Sequence, residues 1–128
     1  MMLSIYEALK KTRRGIHVYG SDWRTLVITQ KNRQVSVARD EVARALEGSS
    51  VSPVEILLTR NIIRVNKGAE IRIAAVEDLT DAYLLSGHTY TQMIWLYEPD
   101  LKVSDFMRAM LRSNDVPAEQ LRTDYVDW

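Results

Sequence analysis

The run Met93-Ile94-Trp95-Leu96-Tyr97 is uninterrupted by any charge and stops abruptly at Glu98. A strand with one face in water alternates apolar and polar side chains. A continuous run instead fits a strand covered on both faces, the usual situation in a parallel sheet flanked by helices. Two further short apolar runs, "RTLVIT" at residues 24–29 and "VEILLT" at residues 54–59, are set apart by segments with helical or turn patterning. This alternation predicts one α/β domain over residues 1–128, with a central, mostly parallel sheet, an added β-hairpin and helices on both faces.

The connecting segments fill in that plan. In "LSIYEALKKTRRG", Ser4 and Glu7 have the spacing of a capping box, in which each side chain satisfies a free backbone amide of the first helical turn. Leu3, Tyr6 and Leu9 supply the apolar contacts, basic residues crowd the last turn, and Gly15 is the expected stop. "GIHVYGSDW" then reads as a turn-rich link. A second helix follows the first strand, with Asn32 as its cap, Val35, Ala38, Val42, Ala45 and Leu46 as its apolar stripe, and Gly48 as its end. "NIIRVNKGAEIRIAAV" reads as a hairpin about Asn66-Lys67-Gly68, where glycine takes a positive φ that β-branched residues resist. "DLTDAYLLSG", residues 78–87, is an expected short helix. Val103, Phe106, Met107, Met110 and Leu111 mark another, and Pro117 suits the first turn of a last one.

Several function classes are excluded by what the chain lacks. With 46% apolar and 27% charged residues over 128 positions it can bury a core and is not of disordered composition. It has no cysteine, and its two histidines, His17 and His88, are far apart, so no disulfide framework or thiolate or histidine zinc site is expected. No apolar run approaches the ~20 residues of a bilayer span, and Glu7 and Lys10 interrupt the N-terminal apolar stretch, so neither a membrane protein nor a secretory signal is expected. A cytosolic protein is the expectation.

Net charge is zero but unevenly spread. Residues 1–48 hold nine Lys and Arg against five Asp and Glu, and residues 49–128 hold eight against twelve. The basic excess centres on Lys10, Lys11, Arg13 and Arg14, with Trp23 nearby, a combination that contacts phosphates and stacks on bases in nucleic-acid binders. The competing reading is that a helix C-terminus attracts cations through its dipole. At the other end, Tyr125 and Trp128 alternate with acids in "DYVDW". Residues 115–128 are therefore either a docking tail for another protein, aromatics being common interface anchors, or a segment folded back on its own domain.

The sequence has no GxxxxGK[ST] phosphate loop, and the Lys-Gly pair of "NKGAE" sits in a turn without a following helix to face a phosphate. "MIWLYEPD" is the better candidate for chemistry. Its Glu98 and Asp100 have the residue types that polarise water and hold magnesium at a strand end, although an acid directly before Glu98 is missing, Tyr97 standing there. Asp100 equally suits a helix cap.

Taken in order, these segments resemble the middle of a motor ATPase core of the phage terminase large subunit and helicase kind. "SIYEALKKTRRG" looks like the helix after the phosphate loop, "RTLVITQKNRQVSVARDEVARAL" like the next strand and helix, and "NIIRVNKGAEIRIAAVEDLTDAYLLSGHTYTQMIWLYE" like the stretch ending at the magnesium carboxylates. The resemblance covers roughly residues 4–98. It implies a relative lacking the phosphate loop, with Tyr97 in place of the aspartate, that does not hydrolyse ATP. The expected function is a non-catalytic accessory protein of phage or mobile-element type, needing no cofactor and acting through contacts with another protein or a second copy of itself. Two alternatives stay open. One is a nucleotide hydrolase that uses Glu98 and Asp100 and is completed by a partner's phosphate loop; the other is a nucleic-acid-binding module built on Lys10, Lys11, Arg13, Arg14 and Trp23.

Overall fold

The computed structural model describes residues 2–79 and 87–128. In chain order the elements are α1 (Ile5–Tyr19), β1 (Thr25–Thr29), α2 (Val35–Leu46), β2 (Pro53–Leu57), β3 (Ile62–Val65), β4 (Glu70–Ala75), β5 (Gln92–Trp95), α3 (Leu101–Arg108) and β6 (Arg122–Tyr125). The six strands form one sheet in the order β2-β3-β4-β1-β5-β6. β1 is central and pairs in parallel with β4 and β5, β5 pairs in parallel with β6, and β2, β3 and β4 form an antiparallel meander. The expected mostly parallel α/β sheet with an added hairpin is therefore what the chain forms.

Burial explains the strand patterns. All residues of β1 and β5 are buried, as continuous apolar runs require. On one face Val27, Ile63, Ile71, Ile73 and Ile94 pack against Leu9 and Ile16 of α1 and Val42 and Leu46 of α2. On the other, Leu26, Ile28, Met93 and Trp95 pack with Met107 of α3 and with Met110. β2 is different. It lies at the outer edge, largely exposed, with Pro53 at its start and a register slip between Pro53 and Glu55. Both features blunt an edge against unwanted pairing. The hairpin turn adopts positive φ at Lys67 as well as at Gly68. The expected helix at 78–87 lies largely outside the described residues.

Three expectations about local structure are corrected. The capping box forms as read: the Ser4 hydroxyl accepts from the Glu7 amide at 3.2 Å and the Glu7 carboxylate from the Ser4 amide at 3.3 Å. The helix it starts does not stop at Gly15, however, but continues to Tyr19, absorbing most of the supposed link. Glycine is tolerated there because Trp23 occupies the space a side chain would need; a Cβ on Gly15 would lie 2.3 Å from the indole ring. Asn32 does not cap α2 with its side chain. It sits in a 3-10 turn and donates its side-chain amide to Asp78, 3.1 Å away. Finally, Pro117 opens no α-helix. A single 3-10 turn at Ala118–Gln120 leads into β6, so residues 122–125 of the supposed tail are a strand of the sheet. Leu3 extends that edge through a parallel bridge to Val126.

Gly15→Ala separates propensity from packing. Helix propensity alone favours alanine by about 1 kcal/mol, whereas the clash with Trp23 makes the variant overpacked. The expected result in urea denaturation is a loss of about 1–3 kcal/mol; a stabilised variant would show that the indole does not occupy this space.

Candidate functional site

At the carboxyl ends of β5 and β6 the chain forms a cleft of about 270 Å³ lined by Met2, Glu98, Pro99, Leu101, Ser104 and Tyr125. This is the edge at which open α/β sheets bind ligands, because strand-to-helix loops diverge there. The fold brings together Glu98 and Tyr125, residues far apart in sequence. Asp100 does not join Glu98 in open chemistry: its carboxylate accepts from the Val103 amide at 2.9 Å and caps α3. Tyr97 packs edge-on against Trp95, with ring centroids 5.8 Å apart. Burial, helped by the negative charge of Asp100, raises its phenol above the ordinary value of 10, so it stands as a neutral hydroxyl where the resemblance puts an aspartate.

The amino ends of the strands hold a different arrangement. Gln92, the first residue of β5, is fully buried, and its carboxamide is the hub of a polar network. Its oxygen accepts from Thr12 Oγ1 at 2.7 Å, Thr25 Oγ1 at 3.2 Å and Trp23 Nε1 at 3.3 Å. Its nitrogen donates to Asp124 Oδ2 at 2.8 Å and to the Ala8 carbonyl at 3.4 Å. Asp124, only 4% exposed, also accepts from Arg122 Nε at 2.9 Å and Nη2 at 3.0 Å. Lys11 Nζ lies 3.6 Å from the same carboxylate. A buried charge needs this degree of pairing, since taking an ion out of water costs several kcal/mol before partners repay it.

The basic candidates divide accordingly. Lys11 turns inward to Asp124, while Lys10 and Arg14 are exposed and Arg13 is half-buried. Trp23 is 3% exposed, stacked at 5.9 Å on Tyr19 and bonded to Gln92, so its ring offers no open face to a base. Trp128 donates to Glu41 on α2 at 2.6 Å and lies back on its own domain. His17 approaches Lys67 Nζ at 3.0 Å. Sequence reasoning missed Gln92, Asp124 and Arg122. The only signal was one polar residue, Gln92, opening an otherwise apolar strand.

Among the described residues no group of three or more acidic, histidine or cysteine side chains gathers as a metal site, and no helix is long and apolar enough to cross a membrane. Comparison of the chain with protein-family models, curated proteins and solved structures found no match.

Two measurements test this geometry. Gln92→Leu keeps the side-chain volume but orphans the Trp23 indole and part of the Asp124 carboxylate. At about 1–3 kcal/mol for each buried group left without a partner, it is expected to lower stability in urea well beyond a surface control, and a neutral effect would refute the hub. The second concerns His88. Burial, and then the charges of Arg72 and Arg24, lower its imidazole below the ordinary value of 6.5. The unfolded chain therefore takes up a proton before the folded one does. Stability is fullest above pH 6.5 and declines as pH falls through the folded value. In melting curves between pH 7.5 and 5, His88→Gln should flatten part of that decline; an unchanged slope would contradict the assignment.

Proposed function

We propose that this chain is a non-catalytic interaction module that binds another protein through the cleft at the carboxyl ends of β5 and β6. The observation that carries this reading is the exposure of apolar side chains around one carboxylate. Leu101 is 77% exposed, Met2 42% and Tyr125 36%, and all three line the cleft with Glu98. Water-facing leucine and methionine gain free energy when a partner covers them, at about 25 cal/mol per Å² of apolar surface removed from water. Tyrosine is a frequent interface anchor. Glu98 gives the surface its specificity, because a carboxylate among apolar groups favours a partner bringing Lys or Arg beside a large apolar residue. The hydrolase alternative is weakened by Asp100, whose carboxylate is engaged as the cap of α3.

Selection of displayed random peptides on the full chain tests the proposal. Enriched sequences are expected to carry Lys or Arg next to a large apolar residue. Tyr125→Ala and Leu101→Asp should each weaken them about tenfold, as loss of an anchor costs more than 1 kcal/mol, without lowering the melting temperature. Glu98→Gln should remove the basic preference alone. Peptides that bind these variants as well as the parent would exclude the cleft as the contact surface, and a dimer in sedimentation that the same substitutions dissolve would identify the partner as a second copy.

A further inference from the structure

The cations of α1 need an explanation other than the helix dipole. The dipole acts within the last turn, and α1 runs on to Tyr19, which leaves Lys10, Lys11, Arg13 and Arg14 in mid-helix. Lys10, Arg13 and Arg14 make no ion pair with any described residue. Glu7, one turn earlier, is turned back to the Ser4 amide. Lys11 and Arg122 share one carboxylate, that of Asp124, which leaves this pair of cations with an excess of positive charge.

These residues surround a cavity. Lys11, Arg14, Arg122 and Gln120 line a space of about 190 Å³ walled by Val18 and Tyr19 and floored by Gly15 and Trp23. It is smaller than the ~300–1,000 Å³ of sites that enclose a whole drug-sized ligand, and fits a charged head group. Arg122 is held through Nε and Nη2 by Asp124, and Asp124 by Gln92, so the guanidinium is fixed before a ligand arrives, with Nη1 unengaged. Such preorganisation lowers the entropy cost of binding, and guanidinium geometry matches phosphate oxygens. Outside the cavity the positive charge continues. Lys10, Arg14 and His17 follow at helical spacing on the outer face of α1, and Lys67 meets His17 at the hairpin turn.

We propose that the junction of α1 and β6 is a phosphate-binding site, in which Lys11, Arg14 and Arg122 receive one phosphate group and the outer stripe of α1 steers the anion towards it. The site lies at the amino ends of the strands and is independent of the cleft at their carboxyl ends. The phosphate is carried either by a polynucleotide backbone or by a small phosphate ester.

Fluorescence anisotropy of the full chain with a labelled single-stranded oligonucleotide, competed by inorganic pyrophosphate or polyglutamate, tests this. Saturable binding at low salt is expected, weakening steeply as salt rises because counterions are released. Arg14→Glu and Lys10→Glu alter exposed, unpaired side chains, so their melting curves should match the parent while affinity falls at least tenfold. Displacement by millimolar pyrophosphate would assign the site to small phosphate esters, and resistance to it to the polynucleotide backbone; either outcome supports a phosphate site. The proposal is overturned if neither the oligonucleotide nor labelled pyrophosphate binds at low salt, if both variants bind within twofold of the parent, or if polyglutamate displaces the oligonucleotide at an equal concentration of charge, which would show a general polyanion surface.

Discussion

A single buried carboxamide, that of Gln92, sets the terms for one end of this molecule. Placed on a strand covered on both faces, it has no water to bond and must be met by protein groups, because an unpaired amide in the core costs about as much as several good surface contacts contribute. Its partners come from four separate segments: Thr12 and the Ala8 carbonyl on α1, Trp23 ahead of β1, Thr25 on β1 and Asp124 on β6. Satisfying all of them fixes how α1 lies across the amino ends of β1, β5 and β6. The close approach of Trp23 to Gly15 follows from the same placement. So does the burial of Asp124, which brings Arg122 and Lys11 to its side.

The two ends of the sheet are consequently built on different physics. At the amino ends, polar and charged groups are interlocked around Gln92 and the surface above them is cationic. At the carboxyl ends exposed side-chain bonds stand in their place, the Asp100 cap on α3 beyond β5 and the bonds of Asn32 to Glu77 and Asp78 beyond β1 and β4, and apolar groups face outward around Glu98. The uneven charge of the two halves of the sequence does not divide the fold into two charged bodies. Lys11 with Asp124, and the Trp128 indole with Glu41, join the basic first part of the chain to the acidic second part.

Where local pattern and tertiary packing agreed, the fold was legible. The strands in "RTLVIT" and "TQMIWLY", the hairpin at Asn66–Gly68, the capping box of α1 and the stripe of α2 each follow from backbone sterics or periodic burial, which neighbouring residues express directly. The failures are equally specific. Gly15 looks like a helix stop because its usual meaning is conformational, but here it makes room for a ring eight positions later in the chain. Pro117 suggests a helix start because its fixed φ fits a first turn, but the segment pairs as β6, whose inward Asp124 looks like surface until Arg122 and Gln92 are seen to bond it. Trp23, beside basic residues, looks like a base-stacking platform until its burial is known. Of the candidate site residues, Glu98 and Tyr125 could be named from their types but not placed in one cleft.

Residue order by itself determined the class of fold: continuous apolar runs demand strands covered on both faces, and amphipathic segments between them supply the cover. The tertiary structure alone decided which distant side chains meet. The partners of Gln92 lie 67 to 84 positions away on the earlier elements and 32 away on β6, and no local propensity encodes a bond across such distances. Pairing a buried amide and a buried carboxylate is a requirement that only the assembled core can impose.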